Sequence, residues 1–262
     1  YDNSDLGHTI VLRDSYKHIL CEYIINNESD LKNVVNKIEE SGTGVDKFVI
    51  NFTGNVNFKP WTKSLVLFKP QYGSILINGN GHNVNLLGAS EDDEYHFTTL
   101  NINSNMVVNN LGISGFNCAI VNNGHACFNN VTFSNNKVKY MMESGDDCGV
   151  INNFGLVVCN NCTFINNFGL WAGAVYGAHG AQTYLINCTF DKNSYSKDKG
   201  GGLYSYNKAQ FYLNGVEVNS NNIKYANISI GYGQLPSGVT NVIYQCLDIF
   251  TLLFHLFLVF VV

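Results

Sequence analysis

The sequence predicts an all-β fold, a single-stranded parallel β-helix preceded by one short capping α-helix. The first observation behind this is a repeat. Asn-Cys-Thr-Phe occurs at 161–164 and again at 187–190, and each Phe is followed by Asn at a fixed offset, Phe164-x-x-Asn167 and Phe190-x-x-Asn193. Looser copies flank them, Asn130-Val-Thr-Phe133 with Asn136 and Gly215-Val-Glu-Val218 with Asn221. The anchors 133, 164, 190 and 218 stand 31, 26 and 28 residues apart, a period that marks stacked units. The second observation is a Gly-led strand opening each unit, Gly149-Val-Ile151, Gly173-Ala-Val175 and Gly202-Leu-Tyr204. The third is that each unit holds two or three short strands and no helix. Coils of a β-helix, paired about 4.8 Å apart, accommodate that pattern.

Each element follows from local chemistry. Residues 1–28 show little pattern. Ser29 and Asp30 are N-cap candidates, and Leu31, Val34, Val35 and Ile38 then recur at helical spacing until Ser41-Gly42. Such a helix, over about 30–40, suits the open end of a first coil, where bare strand edges invite aggregation. The first strand is expected at 48–52, an early coil with a Gly/Asn turn at 74–87, and a further strand at 109–113 with Leu111 and Ile113 inward. In the repeats, side-chain alternation puts Phe133, Phe164, Phe190 and Val218 on one face with Val131, Cys162, Cys188 and Val216. That apolar set points inward, while Thr132, Thr163, Thr189 and Glu217 face water. Asn152-Asn153 and Asn160-Asn161 supply turns, because Asn tolerates left-handed backbone. Cys118-Ala-Ile-Val-Asn-Asn123 aligns with Cys148-Gly-Val-Ile-Asn-Asn153 position for position. The organisation is therefore an N-terminal segment at 1–47, a β-helix at 48–230 and a tail at 231–262. Residues 249–262 are apolar apart from Thr251 and His255. As a helix they span about 21 Å against a hydrocarbon core of about 30 Å, so membrane contact there is an open reading.

Composition removes some functions. Net charge is −5, charged residues are 13%, and Arg13 is the single arginine, so no basic stripe exists for nucleic acid. Tyr1, not Met, opens the chain, and the expectation is a mature form or a fragment. Eight cysteines are present. Cys118 with Cys148, and Cys162 with Cys188, occupy matched positions that a disulfide can bridge; small buried apolar residues are the expectation, since Val takes the same slot elsewhere. Cys159-x-x-Cys162 lacks the second pair a zinc site needs. Sequons stand at Asn27, Asn51, Asn130, Asn161, Asn187 and Asn227.

Phe133/Asn136, Phe164/Asn167, Phe190/Asn193, Ala172-Gly-Ala-Val175 and Gly201-Gly-Leu203 resemble the repeats of chlamydial polymorphic outer-membrane proteins and of adhesin-like β-helix proteins of methanogenic archaea. The resemblance covers roughly residues 70–225. It implies right-handed winding, display outside the cell, and adhesion to glycans or proteins of a host or neighbouring cell. The chain carries no recognisable outer-membrane barrel.

An enzyme is the rival reading. Gly145-Asp-Asp-Cys148 resembles the paired-Asp motif of polygalacturonases, and Gly177-Ala-His-Gly180 resembles their Gly-His-Gly. Asp146 and Asp147, with His179, are the catalytic candidates, since inversion needs two carboxyls about 6.5–9.5 Å apart. Phe116-Asn-Cys-Ala119 stands where a further Asp is expected, and no Arg lies downstream to hold a substrate carboxylate. Glu143, Asp146 and Asp147 are hard donors for calcium, which wants six to eight oxygens. No cofactor is expected. Trp171, Tyr176, Tyr204 and Tyr206 lie near strand starts and make a sugar-stacking strip where they point outward. The expectation is a non-enzymatic extracellular adhesin or spacer.

Overall fold

The computed structural model describes residues 10–13, 19–90, 93–138, 148–178, 180–195, 202–206 and 209–219. Their chain winds into a β-solenoid of about six turns, mostly parallel strands, with one short helix. A first wall stacks Ile19–Ile25, Lys47–Phe52, the start of Gly73–Leu86, Ser104–Ser114, His125–Asn129, Leu156–Asn160, Gln182–Ile186 and Gln210–Asn214. The chain then bends into a second wall, where Thr132–Ser134, Thr163–Ile165, Thr189–Asp191 and Glu217–Asn219 lie side by side. The third wall stacks Leu65–Phe68, Tyr95–Leu100, Ile120–Asn122, Ile151–Asn153, Val175–Gly177 and Leu203–Ser205.

The repeat register holds. Phe133 pairs with Phe164, Phe164 with Phe190, and Phe190 with Val218, as the anchor spacing predicts. The three Phe side chains are fully buried, with Val131, Cys162 and Cys188 beside them, while Thr132 and Glu217 are exposed. Ile113 and Leu111 also point inward.

The corner between the first two walls explains the asparagines. Asn110, Asn130, Asn161 and Asn187 occupy successive copies of it, each at φ of 51–54°. Left-handed backbone strains a residue with a Cβ, least so Asn. The last copy is Gly215 (φ 62°), where a Cβ would meet Asn187 Oδ1 at 2.4 Å. Asn at the corner followed by an outward Thr two residues on spells a sequon at Asn130, Asn161 and Asn187. Backbone geometry accounts for those three without invoking glycosylation.

The second corner explains Phe-x-x-Asn. Asn136, Asn167 and Asn193 turn inward and are 0–2% exposed. Asn167 Nδ2 donates to Phe133 O (3.1 Å) and to Asn193 Oδ1 (2.8 Å), and Asn193 Nδ2 donates to Phe164 O (2.9 Å). Backbone N–H groups close the ladder, Asn136 N onto Asn167 Oδ1 (3.0 Å) and Asn167 N onto Asn193 Oδ1 (3.1 Å). These three turns thus satisfy buried polar groups of one another.

Several expectations are corrected. The helix runs Glu28–Glu40, so it starts before Ser29, and Asn27 is the N-cap. Asn27 Oδ1 accepts from Asp30 N while Asp30 Oδ2 accepts from Asn26 N, both at 3.0 Å, so Asp30 is the reciprocal partner in the first turn. Leu31, Val34, Val35 and Ile38 are buried, as expected, and the helix packs on Ile19–Ile25, Val56–Phe58 and Leu65–Phe68. The first wall begins before residue 48, because Ile19–Ile25 already pairs in parallel with Lys47–Phe52. Asn152 and Asn153 make no left-handed turn: they lie in a strand, fully buried, and Asn153 Oδ1 shapes the bend by accepting from Gly155 N (2.9 Å). On the third wall the Gly149 and Gly173 motifs align as expected, but the junctions on either side slip by one residue. Ile120 pairs with Ile151 and Ile151 with Val175, which pairs with Leu203, so Gly202 falls beside Ala174 and Cys118 beside Gly149. Glycine doublets carry no side chain to fix register, which hides such a shift.

Candidate ligand-binding surface

The third wall presents alternate residues outward. Ile151, Val175 and Leu203 fill the interior, so the intervening column Val121, Asn152, Tyr176, Tyr204 lies on the side away from the core, where Tyr176 is the partly exposed member. Tyr206, two residues beyond Tyr204, shares that side. Trp171 reaches the same place from the bend before Val175–Gly177. Its ring lies 6.3 Å from Tyr176, 5.9 Å from Tyr204 and 6.5 Å from Tyr206, and Tyr176 stacks on Tyr204 at 5.8 Å and 11°. All four rings named from the sequence form one patch. Exposure is graded, from 9% at Tyr204 to 47% at Tyr206, with Trp171 and Tyr176 between. Tyr204 lies on the same side as Tyr206 because Leu203 points inward, and Tyr206 is the exposed ring of the two.

The patch rests on a small apolar cluster outside the main core, comprising Val121, Val138, Leu170, Ala172, Cys118 and Cys148. That support fixes the rings before any ligand arrives. Around the solenoid the outer faces carry neutral amides. Asn51, Asn78, Asn109 and Asn129 form a ladder in which each Nδ2 donates one turn back, ending on Glu22 Oε1 at 2.7 Å. Asn85 likewise donates to Asn57 Oδ1 (2.7 Å).

A second concavity lies near the helix. An open depression of about 610 Å³ is lined by Lys59, Trp61, Lys63, Leu87, Asp93 and Tyr95. Another of about 420 Å³ lies across Trp61, between the helix and Leu65–Phe68. Lys32 Nζ sits 5.3 Å above the Trp61 ring. Tyr95 donates to Asp93 Oδ2 (2.9 Å), and burial, reinforced by Asp93, pushes its phenol up to about 12. No sequence motif marks this region, because Trp61 belongs to no repeat.

The catalytic candidates Asp146, Asp147 and His179, and the calcium candidate Glu143, lie outside the described residues, as does the apolar segment 249–262. Their described neighbours sit at opposite ends of the third wall. Cys148 bridges to Ala172 where the wall begins, whereas Ala178 follows Val175–Gly177 where it ends. Among the described residues no group of three or more His, Cys, Asp or Glu is placed to hold a metal ion, and no helix is long and apolar enough to cross a membrane. The seven described cysteines are buried as thiols, the apolar role the sequence favours. Comparison with protein-family models, with curated proteins and with solved structures finds no match.

Proposed function

We propose that this chain is an extracellular, surface-displayed β-helix that holds neutral glycans of a neighbouring cell against the patch formed by Trp171, Tyr176, Tyr204 and Tyr206. The clustering of four rings on one outward wall carries the reading. A pyranose has an apolar C–H face and a rim of hydroxyls. Tyr and Trp match both, offering a ring face and a polar edge. The amide ladders on the outer faces add donors and acceptors without net charge, which favours neutral over acidic sugars. Winding is taken as right-handed, the hand that parallel strand crossovers adopt almost without exception. The helix is assigned the role of an end cap, because it packs on Leu65–Phe68 at the start of the third wall and on Val56–Phe58, which pairs with Val84–Leu86 of the next turn.

Calorimetric titration of the purified chain with a panel of neutral oligosaccharides tests this. Binding is expected, with Tyr206→Ala weakening it about tenfold, roughly 1.4 kcal/mol, at an unchanged melting temperature. Absence of binding across the panel, or affinity indifferent to both Tyr206→Ala and Trp171→Ala in folded protein, overturns it.

A further inference from the structure

Beneath the aromatic patch two thiols meet. Cys118 and Cys148 belong to neighbouring turns, 30 residues apart in sequence, and their Sγ atoms lie 3.6 Å from each other. Both residues are 0% exposed. The one-residue slip between these two turns of the third wall produces this contact. Ile120 pairs with Ile151, so Gly149 rather than Cys148 stands in register with Cys118. Gly149 has no side chain, and Cys148, the residue before it, brings its sulfur to Cys118.

We infer that Cys118 and Cys148 are a cross-turn disulfide site, joined when the chain folds in the presence of a small-molecule disulfide oxidant. From 3.6 Å the sulfurs need to close by about 1.5 Å to reach a covalent S–S bond. In the first step one thiolate attacks the oxidant, giving a mixed disulfide and releasing one small thiol. The other thiolate then attacks the protein sulfur of that mixed disulfide and expels the second small thiol. Two protein S–H bonds are lost and one S–S bond is gained. The two electrons and two protons leave with the reduced oxidant. Because both sulfurs are fully buried once folded, exchange runs before the turns close, and the folded reduced protein resists the same reagent.

Cys118 also donates to Val150 O of the neighbouring turn (3.7 Å), and other thiols have carbonyl partners too. Cys162 and Cys188 flank in-register strands, and each donates to a carbonyl of the preceding turn, Cys162 to Phe128 O (3.3 Å) and Cys188 to Cys159 O (3.4 Å). Burial raises the Cys159 and Cys162 thiols above the ordinary range, and contact with Cys162 followed by burial raises Cys188. A bond at Cys118–Cys148 would lock the support under Trp171 and Tyr204, and it suits an oxidising compartment. The inference stands whether or not the patch binds sugar.

The test refolds the full chain with a mixture of oxidised and reduced glutathione, alkylates free thiols, and maps peptides without reduction. The expected product joins the Cys118 and Cys148 peptides and leaves the other six cysteines alkylated. Its melting temperature should exceed that of the reduced protein by roughly 5–10 °C, a gain absent in Cys118→Ser and in Cys148→Ala. Alkylation of both cysteines after oxidative refolding overturns the inference, and so does a dominant bond between any other pair. The peptide map uses wild-type protein, so its outcome does not depend on either variant folding.

Discussion

In the turns after residue 130 identical rings lie flat on one another, whereas between residues 58 and 116 the same interior is filled with rings that cross. Phe133 and Phe164 are 5.1 Å apart and 17° from parallel, and Phe164 and Phe190 are 4.6 Å apart at 5°. Earlier, Phe68 meets Phe97 at 69°, Phe97 meets Phe116 at 87°, and Phe58 meets Phe116 at 50°. The later rings share one column of registered strands, so equal backbones set equal side-chain directions. The earlier rings come from different columns; Phe68, for example, pairs with Thr98 rather than with Phe97. Repetition of sequence produces repetition of packing, and where repetition is missing the core closes by interdigitation.

The largest expected effect separates these two modes. Phe164→Ala should destabilise the protein by about 3–5 kcal/mol, because ladder bonds on both sides hold the neighbouring turns apart and the cavity stays open. Phe97→Ala removes the same atoms where crossed rings are free to tilt into the gap, so it should sit at or below the low end of that range. Urea denaturation of both variants decides the matter. A larger loss at Phe97 would refute the idea that a stacked column is the less adaptable one.

The asparagine ladders offer a second contrast, inside against outside. Asn167 is fully buried, and replacing it with Ala removes its bonds to Phe133 O and from Asn136 N. That change should cost about 3 kcal/mol. Asn78 holds an equivalent place in the outer ladder, giving to Asn51 and accepting from Asn109, but water replaces its partners. Asn78→Ala should lose no more than about 1 kcal/mol. Equal losses in the same denaturation assay would mean that burial is not what gives the inner ladder its weight.

The same contrast shows how far the sequence could be read. Register along the second wall was legible because Phe, Thr and Asn each answer a distinct demand there: ring stacking, water, and a corner bond. The fixed Phe-x-x-Asn offset was visible, yet its purpose was not, since a polar residue three positions past a strand looks like a solvated turn. Only the backbone path brings Asn167 under Phe133 O. On the third wall the glycines that precede each strand left the alignment free to slip by one. The aromatic patch was half legible: the four rings could be named, but whether Tyr204 and Tyr206 faced out depended on that same slip. The Trp61 depression had no repeat to reveal it.

At the first corner the expected effect is smaller and discriminates cause. Asn161 sits at φ 54° and is exposed. Asn161→Ala should cost about 1 kcal/mol, and Asn161→Gly should be close to neutral, because glycine adopts this backbone freely. Equal losses in both variants would assign the asparagine's value to its side-chain bonds instead of its backbone.

The least effect is expected from the outward stack of Tyr184 on Tyr212, whose rings lie 4.4 Å apart at 7°. Burial, and secondarily Tyr212, pushes the Tyr184 phenol up from 10 to about 12. In the unfolded chain a phenol ionises near 10. Between these values the unfolded chain releases a proton that the folded chain retains, so stability falls as pH rises from about 10 through 12 and is fully present below 10. Tyr184→Phe deletes the titrating group while keeping the stacked ring. Denaturant midpoints followed from pH 9 to 12 should therefore decline less steeply in the variant, with little difference at pH 7. Parallel declines would show that this phenol ionises alike in both states, and that the stack leaves its oxygen in water.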